Sequence, residues 1–178
     1  MNENPSTSVE RNVKVVADSS ILIHLSRIGR FYLLRSVCDR IVIASSVFRE
    51  VVERGWGLAG SLETERAVRE GWISVIDAVD KSRARETAVD QGIHPANAET
   101  VQVAREVKAS TLLADEEEVR ELAERFEIEV VGCLGLLVEA VRRKLISVRE
   151  GREDAERLVQ EGYRVSDEVL REFYASLG

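Results

Sequence analysis

The chain has 178 residues, of which 44% are hydrophobic and 32% charged, and its formal net charge is −7. This length predicts one domain with a substantial core, and the composition is that of a globular protein rather than a disordered one. The acidic balance argues against a general nucleic-acid binder with a basic surface. It is compatible with an enzyme that approaches phosphates through a metal ion and a few arginines.

Apolar patterning predicts strands that alternate with helices along the chain. The strands are expected at residues 13–17, 41–43, 72–76, 111–114 and 129–131. The helices are expected at residues 20–28 and 31–37, around 47–52, at 58–70, 81–90, 96–108, 116–126 and 136–143, and near 150–160 and 167–177. Alternation of this kind produces βαβ units and a mostly parallel sheet that helices cover on both faces.

The predicted fold is therefore α/β, with three α/β/α layers around a four- to five-stranded, mostly parallel sheet. Residues 1–12 are expected to form a flexible N-terminus, and residues 13–178 a single domain that includes the C-terminal helices.

The sequence carries no signal for export or membrane insertion. Residues 1–12 lack the apolar stretch of a signal peptide, and no apolar run approaches the roughly 18 residues of a bilayer span. Cys38 and Cys133 are far apart and belong to no CxxC pair. We therefore expect a cytoplasmic protein with no membrane partner, whose cysteines are small buried side chains in a reducing compartment.

Two acids follow predicted strands at the edge of the sheet where ligands bind. Asp18 comes directly after the first strand and Asp115 ends the fourth. Each has a simpler alternative: Asp18 or Ser19 suits the N-cap of the next helix, and Asp115-x-x-Glu118 has the spacing of a capping box. The two roles are compatible, because a capping carboxylate can still present an oxygen to a metal ion.

Carboxylates grouped in this way favour a hard cation. Mg²⁺ or Mn²⁺ would bind carboxylate oxygens and substrate phosphates. The sequence has no Cys/His set with zinc spacing, so His24 and His94 are expected to have structural or surface roles. It also lacks the GxGxxG and Walker phosphate loops, which argues against a nucleotide cofactor.

Four short segments occur in a characteristic order. They are Asp-Ser-Ser at 18–20 with Leu22 and Ile23, Glu50 after the Ile-Val-Ile strand, Asp115 after Leu-Leu-Ala, and Val-Gly-Cys-Leu-Gly-Leu-Leu at 131–137. In this order they resemble the PIN domain family, in its archaeal and bacterial branch, over residues 13–145. The resemblance implies an Mg²⁺- or Mn²⁺-dependent endoribonuclease that hydrolyses single-stranded or structured RNA. Such proteins are often the toxin of a VapC-type toxin–antitoxin pair.

The resemblance also implies site residues. Asp18, Glu50 and Asp115 match the family's catalytic acids, and Asp18 and Asp115 are implied metal ligands. Glu116 matches a further acid beside the fourth strand and is likewise an implied ligand. Ser20 matches a hydroxyl that helps to orient the first aspartate.

One segment departs from the family's Gly-Glu-x-Glu-Ala-Ile pattern. Here Glu99 matches the second glutamate, whereas Asn97 replaces the first. At about 100° per residue, Asn97 lies nearer than Glu99 to the centre of the apolar stripe of its helix. We expect Asn97 to take the inward position, with both residues as candidate metal ligands and with weaker metal binding than in an all-acid relative.

RNA cleavage also needs cations around the acidic site. Arg27 and Arg49 are the predicted substrate contacts, because they lie on helices near the Asp18 and Glu50 ends. Further arginines are expected around the opening of the same acidic site: Arg30, Arg54, Arg83 and Arg85.

The resemblance implies partners besides RNA, namely an antitoxin protein and a second copy of the chain. A homodimer would need apolar helix surface to be covered around Phe31, Tyr32, Leu33 and Leu34, although these residues equally suit the core.

Other function classes remain as alternatives. The main one is a PIN fold with weakened catalysis that works as a binding or dimerisation module, which the replacement at Asn97 favours. A phosphatase that forms an aspartyl-phosphate would need an acid where Ser20 stands, and a response-regulator receiver would need a lysine where Gly132 stands.

Overall fold

A single parallel sheet organises the chain. The computed structural model describes residues 14–178; the predicted N-terminal segment 1–12 lies outside them. The strands are β1 (Val15–Ala17), β2 (Ile41–Ala44), β3 (Ile73–Ile76), β4 (Thr111–Leu113) and β5 (Glu129–Val131). They pair in the order β3-β2-β1-β4-β5, and every pairing is parallel. The predicted α/β fold is therefore confirmed.

Helices fill most of the remaining chain. They are α1 (Ser19–Arg27), α2 (Tyr32–Cys38), α3 (Ser45–Phe48), which continues as a π-helical segment (Arg49–Arg54), α4 (Ser61–Arg69), α5 (Lys81–Gln91), α6 (Pro95–Glu106), α7 (Glu117–Glu124), α8 (Cys133–Arg142), α9 (Val148–Gln160) and α10 (Asp167–Ser176). Within residues 14–178, no helix is long and apolar enough to cross a membrane.

The register of β1 and β4 brings the two predicted acids to one edge of the sheet. Ala17 lies opposite Leu113, and the amide of Asp18 donates to the carbonyl of Leu113 at 2.9 Å. Asp18 and Asp115 therefore leave the sheet at the carboxyl ends of neighbouring strands. The β1 residues are all buried, as expected for a central strand covered on both faces.

The helix predicted from Leu58 begins only at Ser61. Gly60 has a φ of 91°, a left-handed conformation that ends any helical path from Leu58. A Cβ atom there would also lie 3.3 Å from the carbonyl oxygen of Leu22, so Gly60 allows the chain to pass close to α1.

The stretch considered as a dimer surface lies mostly in the core. Leu33 and Leu34 are fully buried and Phe31 is nearly so, whereas Tyr32 is 48% exposed. Only Tyr32 of these four residues is free to offer substantial apolar surface to a second copy.

The C-terminal helices return the chain to the sheet edge. Helix α9 begins with a capping box in which Ser147 and Glu150 bond reciprocally. It ends before Gly162, whose φ of 92° reverses the chain, and the amide of Tyr163 then donates to the carbonyl of Leu158 at 2.9 Å. Tyr163 thus comes back towards the end of β4.

Candidate metal centre

An acidic cleft of about 680 Å³ opens at the carboxyl ends of β1 and β4. Its carboxylates come from the π-helical segment, the end of β4 and the start of α7. The residues that line it include Ser20, His24, Arg27, Glu50, Asp115, Glu116, Glu118 and Tyr163. Of the predicted residues, the cleft therefore brings together Glu50, Asp115, Glu116, Ser20 and Arg27.

Asp18 lies beneath the cleft and is 1% exposed. Its Oδ2 atom accepts hydrogen bonds from the backbone amide of Ser20 at 3.3 Å and from Ser20 Oγ at 2.9 Å, so it caps α1. Burial raises the pKa of Asp18 to about 6, Ser20 acts to lower it, and the nearby Glu116 charge raises it further. Both hydrogen bonds from Ser20 use Oδ2, so they leave Oδ1 for another ligand.

Ser20 connects the two strand ends. Its hydroxyl donates to Asp18 and accepts a hydrogen bond from the backbone amide of Asp115 at 3.1 Å. A serine at this position therefore fixes the carboxylate of Asp18 relative to the end of β4.

Three donors surround the carboxylate of Asp115. The Nδ1 atom of His24 lies 2.8 Å from Oδ2, while the Cys133 amide at 2.8 Å and the Tyr163 hydroxyl at 3.0 Å donate to Oδ1. Burial acts to raise the pKa of Asp115, but the hydrogen bonds from His24 and Cys133 outweigh it and hold the pKa below its ordinary value. The capping-box interpretation of Asp115 is wrong, because the N-cap of α7 is Glu116 and no side chain caps it.

The sequence reasoning missed His24, Cys133 and Tyr163. The rings of His24 and Tyr163 meet edge to face, with centroids 5.2 Å apart. His24 was detectable in principle, because it lies four residues after Ser20 and hence on the same face of α1. Tyr163 gave no such signal, because it reaches the site only through the reversal after α9.

Asn97 takes the inward position that helical phase predicted. It is 6% exposed, and its Nδ2 atom donates to Glu116 at 2.9 Å and to Glu118 at 3.2 Å. The amide therefore holds together two carboxylates that would otherwise repel each other.

Glu99 and Arg49 lie elsewhere, in a cationic cavity of about 430 Å³. Glu99 accepts a hydrogen bond from Ser45 Oγ at 3.3 Å and lies 4.0 Å from the guanidinium of Arg49. The basic residues that line this cavity are Arg49, Arg54, Lys81, Arg85 and His94. Glu99 lies only two residues after Asn97 on α6, but nearby helical residues point in different directions. Glu99 therefore lines the cationic cavity and not the acidic cleft.

Arg27 lines the acidic cleft but is already engaged there. Its Nη1 atom donates to the backbone carbonyl of Glu161 at 3.0 Å. In this conformation Arg27 holds the segment that carries Tyr163, in addition to bordering the site.

A family model described as "DUF3368: PIN domain" matches residues 14–178. The chain belongs to the PIN domain family. The crystal structure of PAE2754 from Pyrobaculum aerophilum is similar to this PIN domain, with a TM-score of 0.54 and 15% sequence identity over 72% of this chain and 98% of that one. At that identity the likeness supports the fold alone. A comparison with curated proteins found no match.

The donor chemistry of this PIN domain fits the divalent metal that PIN nucleases generally use. Asp18, Glu50, Asp115 and Glu116 offer only oxygen ligands, as Mg²⁺ and Mn²⁺ prefer. Burial, and to a smaller extent the Glu116 charge, raise the pKa of Asp18, so its ionised form is costly in the metal-free protein. A bound cation would stabilise that ionised form.

Proposed function

We propose that this PIN domain is an endoribonuclease that depends on Mg²⁺ or Mn²⁺ and hydrolyses phosphodiester bonds in single-stranded or structured RNA. The observation that carries the proposal is the junction of Asp18 and Asp115, which Ser20 bridges beneath a cleft that Glu50 and Glu116 also line. Family membership supports a nuclease, and the oxygen-only carboxylate set supports a hard cation.

The residues in and beneath the acidic cleft have different proposed roles. Asp18, Asp115 and Glu116 would hold the ion, which would activate the attacking water and neutralise charge on the phosphate. Glu50 is half-buried in the same cleft and is the proposed proton acceptor. The amide nitrogen of Asn97 donates to Glu116, so we propose that Asn97 positions the Glu116 carboxylate and does not itself bind the ion.

The cationic cavity is the proposed contact with neighbouring RNA phosphates. It shares the π-helical segment with the acidic cleft: Glu50 lines the cleft, whereas Arg49 and Arg54 line the cavity. One RNA strand that crosses this segment would meet cations on one side and carboxylates on the other. Backbone contacts of this kind hold RNA without selecting a base sequence.

The direct test is cleavage of a mixed RNA pool by the purified protein, with Mn²⁺, with Mg²⁺ and with EDTA, beside single-stranded DNA of matched sequence. We expect cleavage of RNA that stops when the metal is removed. Cleavage that persists in EDTA would contradict the proposal. Absence of both cleavage and divalent-ion binding by calorimetry would favour the alternative, a PIN fold retained as a binding or dimerisation module.

A specific observation gives that alternative weight. Both Asp115 oxygens already accept hydrogen bonds, and Asn97 occupies a position where the branch has an acid. A metal ion must therefore compete with His24 and Tyr163 for Asp115.

We further propose that the nuclease is the toxin of a toxin–antitoxin pair and forms a homodimer. Expression of the wild-type chain should arrest growth, and co-expression of a short neighbouring reading frame should relieve the arrest. Growth arrest that persists in a catalytically inactive variant would contradict the toxin role. Light scattering of the purified chain tests the dimer.

Arg85→Ala should weaken RNA binding without removing cleavage. Arg85 lines the cationic cavity and has no hydrogen-bonded or ion-paired partner among residues 14–178. Affinity falls as salt rises, and loss of one phosphate contact should make the slope of log affinity against log salt shallower by about 1. Arg83→Ala is the matched control, since Arg83 is exposed on the same helix but does not line the cavity. Equal slopes for the two variants would refute the assigned contact.

Asn97→Asp should raise Mn²⁺ affinity while destabilising the metal-free protein. It adds a carboxylate beside Glu116 and Glu118 and removes two charge-assisted hydrogen bonds, at a cost of roughly 1.5–3 kcal/mol. With metal bound, the added charge should improve the dissociation constant about tenfold, or 1.4 kcal/mol. Calorimetry with Mn²⁺ checks this.

Gln102→Glu is the control for that change, because Gln102 is also buried on α6 and donates to Glu106 at 2.8 Å. It should cost stability without altering Mn²⁺ affinity. An unchanged dissociation constant in Asn97→Asp would contradict the prediction that a carboxylate at position 97 strengthens metal binding.

Gly132→Ala should disturb the site through Asp115. A Cβ atom on Gly132 would lie 2.7 Å from Asp115 Oδ1, so the carboxylate must move. We expect a cost of roughly 1–3 kcal/mol in stability from overpacking and a loss of Mn²⁺ affinity. Gly135→Ala meets only a Val131 methyl group, at 2.9 Å, and should cost stability alone. Equal Mn²⁺ affinities in the two variants would contradict the prediction.

A further inference from the structure

Three different ligand types converge at the floor of the acidic cleft. One nitrogen of His24, a carboxylate oxygen of Asp115 and the thiol sulfur of Cys133 all lie within 4.8 Å of one another. They come from α1, the end of β4 and the first residue of α8, so three separate elements hold them in place.

This donor set differs in kind from the carboxylates described above. Nitrogen, oxygen and sulfur together suit borderline-soft divalent ions such as Zn²⁺, whereas Mg²⁺ and Mn²⁺ prefer oxygen alone. Tetrahedral zinc with bonds of about 2.0–2.3 Å places its ligand atoms roughly 3.3–3.8 Å apart. His24 Nδ1 and Asp115 Oδ2, now 2.8 Å apart, would separate slightly, and the longer separations would shorten by about an ångström or less.

Burial supports the arrangement. Cys133 is fully buried and the Asp115 side chain is 4% exposed, while the His24 side chain is 20% exposed and faces the cleft. The protein therefore encloses the sulfur side and leaves the cleft side open for entry and for a fourth ligand. The Tyr163 hydroxyl, 3.0 Å from Asp115, and a water molecule are the available fourth ligands.

We propose that His24, Asp115 and Cys133 form a site for a zinc-like ion, distinct in donor chemistry from the nuclease metal but sharing Asp115 with it. On binding, the ion replaces the thiol proton of Cys133, which passes to solvent, and displaces the hydrogen bond between His24 and Asp115. A zinc-like ion held here withdraws Asp115 from the hard cation and so blocks the nuclease site. Only this last consequence rests on the proposed function.

The test is titration of the metal-free protein with Co²⁺, a spectroscopic substitute for Zn²⁺. We expect one equivalent to bind, with tetrahedral visible bands and a thiolate-to-cobalt charge-transfer band in the near ultraviolet, and Zn²⁺ to remove both. The charge-transfer band should disappear in Cys133→Ser and persist in Cys38→Ser. Cys38 is the matched control, since it is the only other cysteine and lies beside Arg143 in a different cavity.

A second variant tests the same site in case Cys133→Ser does not fold. His24→Asn changes a partly exposed side chain and should weaken Co²⁺ binding at least about tenfold, or 1.4 kcal/mol. His94→Asn, at the N-cap of α6, should leave it unchanged. The site is refuted if wild type lacks the charge-transfer band, if Cys133→Ser keeps it, or if His24→Asn binds Co²⁺ as tightly as wild type.

The shared role of Asp115 has its own readout. One equivalent of Zn²⁺ should suppress Mn²⁺-dependent cleavage in wild type, whereas cleavage by Cys133→Ser should resist that addition relative to its own zinc-free rate. Full activity of the zinc-loaded wild type would overturn the blocking role. If the chain cleaves no RNA at all, the cobalt spectrum still decides the metal site, so the two proposals fail separately.

Discussion

Asp18→Asn should abolish metal-dependent cleavage and, at the same time, make the metal-free protein more stable at neutral pH. Asp18 is buried near the Glu116 charge, and its pKa is raised from 3.8 to about 6. A carboxylate that is costly to ionise in the folded protein is well placed to bind a cation. Asn keeps the N-cap but removes the charge. We expect a rate loss of at least about 100-fold, or 2.7 kcal/mol.

The stability change follows from the direction of the pKa shift. Because the folded pKa of Asp18 lies above the unfolded value, its contribution to stability is fully present below pH 3.8 and is lost as the pH rises through 6. Above that pH the ionised group costs roughly 3 kcal/mol, at about 1.36 kcal/mol per pKa unit. In EDTA at neutral pH the variant should be more stable than wild type by most of this amount. Its stability should also lack the decrease that ionisation of Asp18 causes in wild type between pH 4 and pH 7.

Urea unfolding in EDTA, at several pH values, measures the effect. Asp77→Asn is a suitable control, because Asp77 is exposed and its pKa is lowered by hydrogen bonds from Ser45 and Lys81. That variant should gain nothing. With Mn²⁺ at 100 times its dissociation constant, wild type and Asp77→Asn should each gain about 2.7 kcal/mol, and Asp18→Asn should not. An Asp18→Asn protein that is less stable than wild type in EDTA at neutral pH would refute the argument.

The features predicted from sequence are those that depend on local pattern. Apolar runs gave the strands, and the shared edge of parallel strands placed Asp18 beside the end of β4. Helical phase separated Asn97 from Glu99 correctly, because a 100° step is a property of the helix itself. These inferences needed no knowledge of distant contacts.

The missed features depend on tertiary contacts or on irregular backbone. Tyr163 reaches Asp115 only because the chain reverses at Gly162 after a whole helix. The π-helical turn around Glu50 changes which neighbours face the cleft, and an apolar pattern with α-helical spacing does not reveal it. Arg27 was assigned to substrate from its position alone, whereas its partner, Glu161, lies far along the chain.

Asp154→Ala should cause a large loss of stability although Asp154 lies outside the acidic cleft. Asp154 is fully buried on α9, and it accepts a hydrogen bond from Arg30 Nε at 2.6 Å and another from Arg157. Removal of the carboxylate leaves the largely buried guanidinium of Arg30 with only its weaker contacts to Tyr32 and Glu150. Breaking one side of a buried pair costs roughly 3–5 kcal/mol, which we expect in urea unfolding.

Glu153→Ala separates this effect from a general weakness of α9. Glu153 is the adjacent residue, and its exposed pair with Arg149 should contribute no more than about 1 kcal/mol. The loss at Asp154 should also reach the acidic cleft, because α9 leads directly to Tyr163 and hence to Asp115. A loosened Tyr163 competes less with the metal ion for Asp115, so Mn²⁺ affinity should rise in Asp154→Ala and stay unchanged in Glu153→Ala. Equal unfolding free energies for the two variants would mean that the Arg30 pair does not anchor the helix, and that Tyr163 is held by its own contacts with His24 and Asp115 instead.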